Sequence, residues 1–178
     1  MNDPIPVWGI SPRLLALTQA GVVAALYAAL TLSLPMIGFG DVQMRVSEAL
    51  TILPVLMPAA VPGLAVGCFV TNLTGLALGW NLAGAWDVLF GTLATLAAAL
   101  LTRRLRHVRV KGFPLAATLP PVILNALIVG AELSVVVGGM PWYLHMLCVA
   151  AGQTAACAVL GGGVFLLLRN RLPLRMRP

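Results

Sequence analysis

The sequence predicts an all-α integral membrane protein, a single bundle of six transmembrane helices over residues 1–178 with both termini cytoplasmic. Three observations predict it. The chain has 178 residues, 60% of them hydrophobic and 9% charged, with a mean hydropathy of +0.99; a soluble domain of this size needs far more polar surface to cover its core. The apolar residues come in runs of about 20, the length that crosses a bilayer. Ten of the eleven basic residues fall in three places: Arg13, the stretch Arg103 to Lys111, and the tail Arg169 to Arg177. Basic clusters at the ends of apolar segments set membrane orientation.

The elements follow in order. A first span over 13–34 ends at Pro35 and the Gly38/Gly40 turn. A second, 42–57, carries Pro54 and Pro58 and is short for a 30 Å hydrocarbon layer at about 1.5 Å per residue. The third covers 62–78 and the fourth 83–105. The fifth, 113–137, is expected to kink at Pro120-Pro121. The sixth covers 142–168. With both termini inside, ten basic residues face the cytoplasm and only Arg45 lies outside; the reverse orientation inverts that ratio.

The same charge pattern argues against nucleic acid as a partner, despite a pI of about 10.3. A nucleic-acid protein gathers its basic residues on one wet face with aromatic neighbours. Cys68, Cys148 and Cys157 lie within apolar segments with no CxxC spacing and read as small packing residues. The first residues, MNDPIPVWGISPR, lack the pattern of a cleaved signal peptide, so the first apolar helix is expected to direct insertion.

This orientation places Asp41, Glu48, Asp87 and Glu132, four of the five acids, in the outer half. Trp80, Trp86, Trp142 and Tyr143 collect at the same ends, as interfacial aromatics do. The stretch GDVQMRVSEAL (40–50) concentrates Gln43, Arg45, Ser47 and Glu48 between two apolar runs. Asn125 and Glu132 are two turns apart and share a helix face. Asn72, Gln153 and His145 add polar groups on other spans. Ionisable groups inside a membrane are costly and face a cavity or a partner. Each has a plainer alternative. Glu132 can be a structural carboxyl, Asp87 a helix N-cap, and Asn72, Asn125 and Gln153 interhelical glue. His145 can be an interfacial residue, and Arg45 and Glu48, three apart, can pair only with each other.

Small residues form two ladders. Gly63, Gly67, Thr71, Gly75 and Gly79 recur every fourth position and predict a close-packed internal seam. On the first span, Gly21, Ala25 and Ala29 form one row and Ala24 and Ala28 the next; these suit either internal packing or a partner helix. No GxxxxGK[ST] phosphate loop occurs, and Lys111 is the single lysine. No HExxH, GxSxG or spaced Cys/His set is present, so catalytic residues, a metal site and a cofactor are not expected.

The blocks VQMRVSEALTILPVL, PGLAVGCFVTNL, WDVLFGTLATLAAAL and PPVILNALIVGAEL resemble the QueT family of bacterial membrane proteins over residues 13 to 168. The resemblance implies the substrate-binding (S) component of an energy-coupling-factor (ECF) importer in the bacterial cytoplasmic membrane, not an enzyme. It implies a transmembrane coupling subunit and two cytoplasmic ATPases as partners, with Ala24, Ala25, Ala28 and Ala29 as the docking face. It implies a queuosine precursor as substrate: queuine or a 7-deazaguanine base such as its aminomethyl form. Another small heterocyclic vitamin, a stand-alone transporter and a membrane enzyme are the alternatives. A deazaguanine presents an N1–H and an exocyclic amine that one carboxylate accepts together, and its carbonyl calls for an amide or guanidinium donor. Gln43, Arg45, Glu48, Asn72, Asp87, Asn125, Glu132 and Gln153 supply these groups. Glu132 and Asn125 are expected to read the base edge, with the Arg45–Glu48 stretch closing over it as a lid.

Overall fold

A computed structural model describes residues 11–40 and 43–171. Asp41 lies outside the described residues. Within them the chain is helical throughout, with one isolated bridge between Val110 and Phe113.

Five helices are long and apolar enough to cross a membrane: Pro12–Leu32, Ala60–Ala77, Ala85–His107, Leu115–Val136 and Trp142–Leu168. The first is α1, Pro12–Leu32, opened by Ser11, whose Oγ accepts from the Leu14 amide at 3.2 Å; a short helix α2, Pro35–Gly38, follows it. Helix α3 is Ala60–Ala77 and α4 is Ala85–Arg104. Helix α5, Leu119–Val136, is preceded by a 3-10 turn, Leu115–Thr118. The last crossing begins as α6, Trp142–Thr154, widens into a π-helical stretch, Ala155–Leu160, and ends as α7, Gly161–Leu168.

Two expectations are corrected here. The predicted second span is not an α-helix over 42–57: it contains a ten-residue 3-10 helix, Val46–Val55. Every residue from Ser47 to Val55 is buried, against α1, α4, α7 and the π-helical stretch. The prolines of the predicted kink, Pro120 and Pro121, lie not inside a helix but in the first turn of α5, after the 3-10 turn Leu115–Thr118. There a missing N–H costs nothing and the fixed φ suits the helix.

The 3-10 form has a physical reason. Gly63 of α3 lies against Ala20 of α1, and Gly67 against Ala24 and Tyr27, so the two helices run parallel. The chain between them therefore returns from one end of the bundle to the other. Ten residues rise about 20 Å in a 3-10 helix but only about 15 Å in an α-helix. Non-helical or strained backbone at this depth is tolerated only inside protein, and the burial of this segment meets that condition. The turn after it is closed by the Leu56 and Met57 amides on the Leu53 carbonyl, at 2.8 and 2.9 Å. Arg103 Nη1 reaches across from α4 to the Pro54 carbonyl at 3.0 Å.

The small-residue seam on α3 forms as expected for four of its five members. A Cβ on Gly67 would stand 2.9 Å from Tyr27 Cβ and 3.0 Å from Ala24 Cα, and Gly75 lies under the Phe39 ring. Thr71 is buried and donates to the Gly67 carbonyl at 2.7 Å. Gly79 departs from the ladder: it has φ +70° and closes the turn after α3.

A test follows from the seam. Gly67→Val forces α1 and α3 apart and is expected to cost about 1–3 kcal/mol, the usual penalty for overpacking. Gly163→Ala, where an added Cβ meets nothing within 4 Å, is expected to leave the melting temperature in detergent unchanged. Equal melting temperatures for the two variants would remove the close-packing account.

Candidate functional site

The short hairpins join the C-terminal ends of α1, α3 and α5 to the elements that follow, and they lie at the end opposite the 103–111 loop. The polar side chains of the interior gather toward this end.

Arg45 stands just before the 3-10 helix, buried, and is held on three sides. Its Nη2 pairs with Asp87 Oδ2 at 2.5 Å, its Nε donates to the Gly38 carbonyl at 3.0 Å, and its guanidinium lies 5.3 Å from the Phe39 ring centroid. Asp87 sits in the first turn of α4 and is not its N-cap, which is Gly84 at φ +66°. Asn81 Nδ2 donates to the same Asp87 oxygen at 3.0 Å, and Asn72 Nδ2 donates to the Asp87 backbone carbonyl at 2.7 Å. Arg45 and Asp87 thus satisfy each other inside the protein, and the amides of Asn72 and Asn81 fasten α3 and the α3–α4 turn to the pair.

Glu48 is fully buried one turn into the 3-10 helix. Its Oε1 accepts from Tyr27 Oη of α1 at 2.5 Å. The plainer alternative of an Arg45–Glu48 pair is therefore excluded: Arg45 takes Asp87, and Glu48 takes a tyrosine. The expected lid is corrected, because Arg45, Ser47 and Glu48 lie inside the bundle and not over its mouth. Ser47 bonds Thr31 of α1 at 2.5 Å, and Thr51 Oγ1 donates to the Glu48 carbonyl at 2.6 Å. Residues 43 and 44 pass against α6, where the Gln43 carbonyl and Met44 side chain come within 3.2 Å of the position of a Cβ on Gly152.

Gln153 and His145 are buried in α6. Gln153 Oε1 accepts from Cys157 Sγ at 3.4 Å. His145 is an interior residue instead of an interfacial one: its Nε2 bonds the Gly138 carbonyl at 3.0 Å and ties the α5–α6 turn to α6. Trp80, Trp86, Trp142 and Tyr143 are exposed at this end, as a membrane-interface belt requires.

Several buried polar atoms have no hydrogen-bond partner among the described residues: both oxygens of Glu132, Asn125 Nδ2, Glu48 Oε2, Gln43 Nε2, Asn72 Oδ1 and Asp87 Oδ1. Buried polar atoms without partners are expensive, and native proteins keep few of them. Six of the eight predicted site residues carry such atoms, as do Thr92, Arg106 and His145. Chemically the atoms of those six offer carboxylate acceptors, amide donors and one amide acceptor. Arg45 and Gln153 are engaged within the protein.

Two residues of this network escaped prediction. Tyr27 is the partner of Glu48, and its only signal is that it is the single tyrosine of the alanine-rich first span. Asn81 holds Asp87 from a connecting turn, where a polar residue carries no signal.

The pair and the unpaired acid predict opposite responses. Removing one partner of a buried ion pair leaves the other charge uncompensated and costs about 3–5 kcal/mol. Asp87→Asn is therefore expected to lower the melting temperature in detergent sharply. Glu132→Gln breaks no hydrogen bond and is expected to leave it unchanged or raised. A neutral Asp87→Asn would show that Arg45 finds compensation elsewhere.

The protein-family model described as QueT transporter matches residues 17–170, most of the chain. No curated protein and no solved structure matches it. The match covers all the interior polar residues just described and the helices long enough to cross a membrane, and the chain belongs to the QueT transporter family.

Proposed function

We propose that this protein is the substrate-binding component of an ECF-type importer, a six-pass bundle with both termini cytoplasmic, which captures a queuosine precursor at its extracellular end. The observation that carries the reading is the set of unpartnered donors and acceptors buried at the end of the bundle opposite the basic loop. Membership of a transporter family makes a transported solute the natural partner for them.

The chemistry suits a 7-deazaguanine. A carboxylate accepts its N1–H and exocyclic amine together, and a side-chain amide donates to its carbonyl. Glu48 Oε2, Asn125 Nδ2 and Gln43 Nε2 offer these groups to the base edge, and Glu132 is a second carboxylate with both oxygens open. Arg45, Asp87 and Asn72 brace the walls. The parallel run of α1 and α3, with the 3-10 segment returning between them, supports six crossings, which put the basic clusters at Arg13, 103–111 and 169–171 on one side. That side is cytoplasmic by the positive-inside rule.

Helix α1 supports a partner subunit. Only 17% of its apolar window is buried, against 39–44% for the other four long helices. Gly21, Ala25 and Ala29 are exposed, and Ala24 and Ala28 are half-buried. A shallow groove of about 620 Å³ runs between the N-terminal half of α1 and the first turns of α3, lined by Ala20, Gly21, Ala24, Pro62 and Gly63. Small exposed residues let a second helix approach closely. The sequence carries no phosphate loop, so ATP hydrolysis falls to partner subunits in this reading.

The reading is tested by equilibrium binding of radiolabelled queuine and aminomethyl-7-deazaguanine to the purified chain, with co-purification from the native membrane. Saturable binding is expected, weakened about ten-fold by Glu48→Gln or Asn125→Ala, the scale of one hydrogen bond to a charged group. A coupling protein and two ATPases are expected to co-purify, and Ala25→Trp is expected to release them. Absence of both binding and partners would overturn the proposal.

A further inference from the structure

The interior holds one cation and three carboxylates among the described residues: Arg45, with Glu48, Asp87 and Glu132. Arg45 is committed to Asp87 and to the Gly38 carbonyl, and Glu48 shares a hydrogen bond with Tyr27. Glu132 alone of the three has neither oxygen bonded, although it is only 9% exposed. Asp87 and Arg45 lie within electrostatic reach of it.

Glu132 also lines a groove of about 650 Å³ between α4 and α5, bounded by Trp86, Phe90, Leu93, Ile128 and Val135. The volume is that of a small-molecule site, and Trp86 and Phe90 stack on each other at 5.8 Å along one wall. Glu132 is the one ionisable group among these lining residues. A buried carboxylate in apolar surroundings is best completed by a charged N–H donor, which forms the shorter and stronger class of hydrogen bond. A neutral group placed there makes no charge-assisted bond with the carboxylate.

We propose that Glu132 is the charge selector of this site: it receives a protonated amine carried on a side arm of the ligand, while the arm's carbon skeleton lies in the α4–α5 groove. A 7-deazaguanine with an amine-bearing arm is therefore preferred over one whose C7 substituent is neutral. This inference rests on the substrate-binding reading above and adds a preference which that reading does not require. The ammonium of an aminolipid presents the same chemistry from the bilayer side; the soluble base is the occupant proposed here.

The test measures binding of two bases matched except at C7, aminomethyl and cyano, to wild type, Glu132→Gln and Glu132→Asp in phosphatidylcholine nanodiscs. Wild type is expected to bind the aminomethyl base at least ten-fold more tightly. Glu132→Gln is expected to bring the ratio to within about three-fold, and Glu132→Asp to keep part of it. Melting temperatures confirm that each variant is folded. Equal affinities in wild type, or a loss in Glu132→Gln that is equal for both bases, overturn the charge selector and leave the substrate-binding reading standing. Failure of wild type to bind either base overturns that reading and this inference with it. Adding phosphatidylethanolamine is expected to leave the ratio unchanged; competition with the aminomethyl base through Glu132 would assign the groove to lipid instead.

Discussion

A ten-residue stretch of 3-10 helix runs through the interior, and the rest of the bundle is arranged around the need to keep it there. Residues 46–55 belong to the stretch that returns the chain between parallel α1 and α3. Ten residues advance further as a 3-10 helix than as an α-helix, with poorer hydrogen-bond geometry. Such a backbone is tolerated at membrane depth only when protein surrounds it. Helices α1, α4, α7 and the π-helical part of the last crossing supply that enclosure. Arg103 from α4 and Cys157 from the π-helical stretch each reach a backbone carbonyl of the 3-10 segment.

The same requirement explains why hydrogen-bonding side chains crowd into GDVQMRVSEAL. Arg45 ties the start of the segment to α4 and to the turn after α1, Ser47 and Glu48 tie it to α1, and Thr51 closes its own turn. Anchoring consumes Arg45, one oxygen of Asp87 and one oxygen of Glu48. What anchoring leaves over is the second half of those carboxyls, together with Glu132, Asn125 and Gln43. The division matters for function, since a scaffold fastened by its own ion pair can hold unpaired groups in place without collapsing onto them. Preorganisation of this kind lowers the cost of ordering a ligand.

Much of this was legible in the residues. Run lengths and hydropathy located the five long helices to within a few positions, and the Gly63/Gly67 spacing foretold a close-packed internal seam, though not that α1 fills it. The buried polar residues were legible because ionisable groups are scarce in a membrane core, so each is conspicuous. Pairing was not legible. Arg45 and Glu48 stand three apart, which suits a salt bridge on an α-helix, but the segment is a 3-10 helix and their partners lie 42 and 21 residues away on other elements. The 3-10 form itself was hidden because a ten-residue apolar run carries no signal for rise per residue. Tyr27 and Asn81 were missed for the same reason, as partners made by the fold and not by spacing.

A structure of the wild-type protein with aminomethyl-7-deazaguanine bound tests the central claim most directly. The account predicts the base within hydrogen-bond distance of Glu48, Asn125 and Glu132, with the Arg45–Asp87 pair intact. A base bound elsewhere on the bundle, with those three side chains still unpaired, would contradict it.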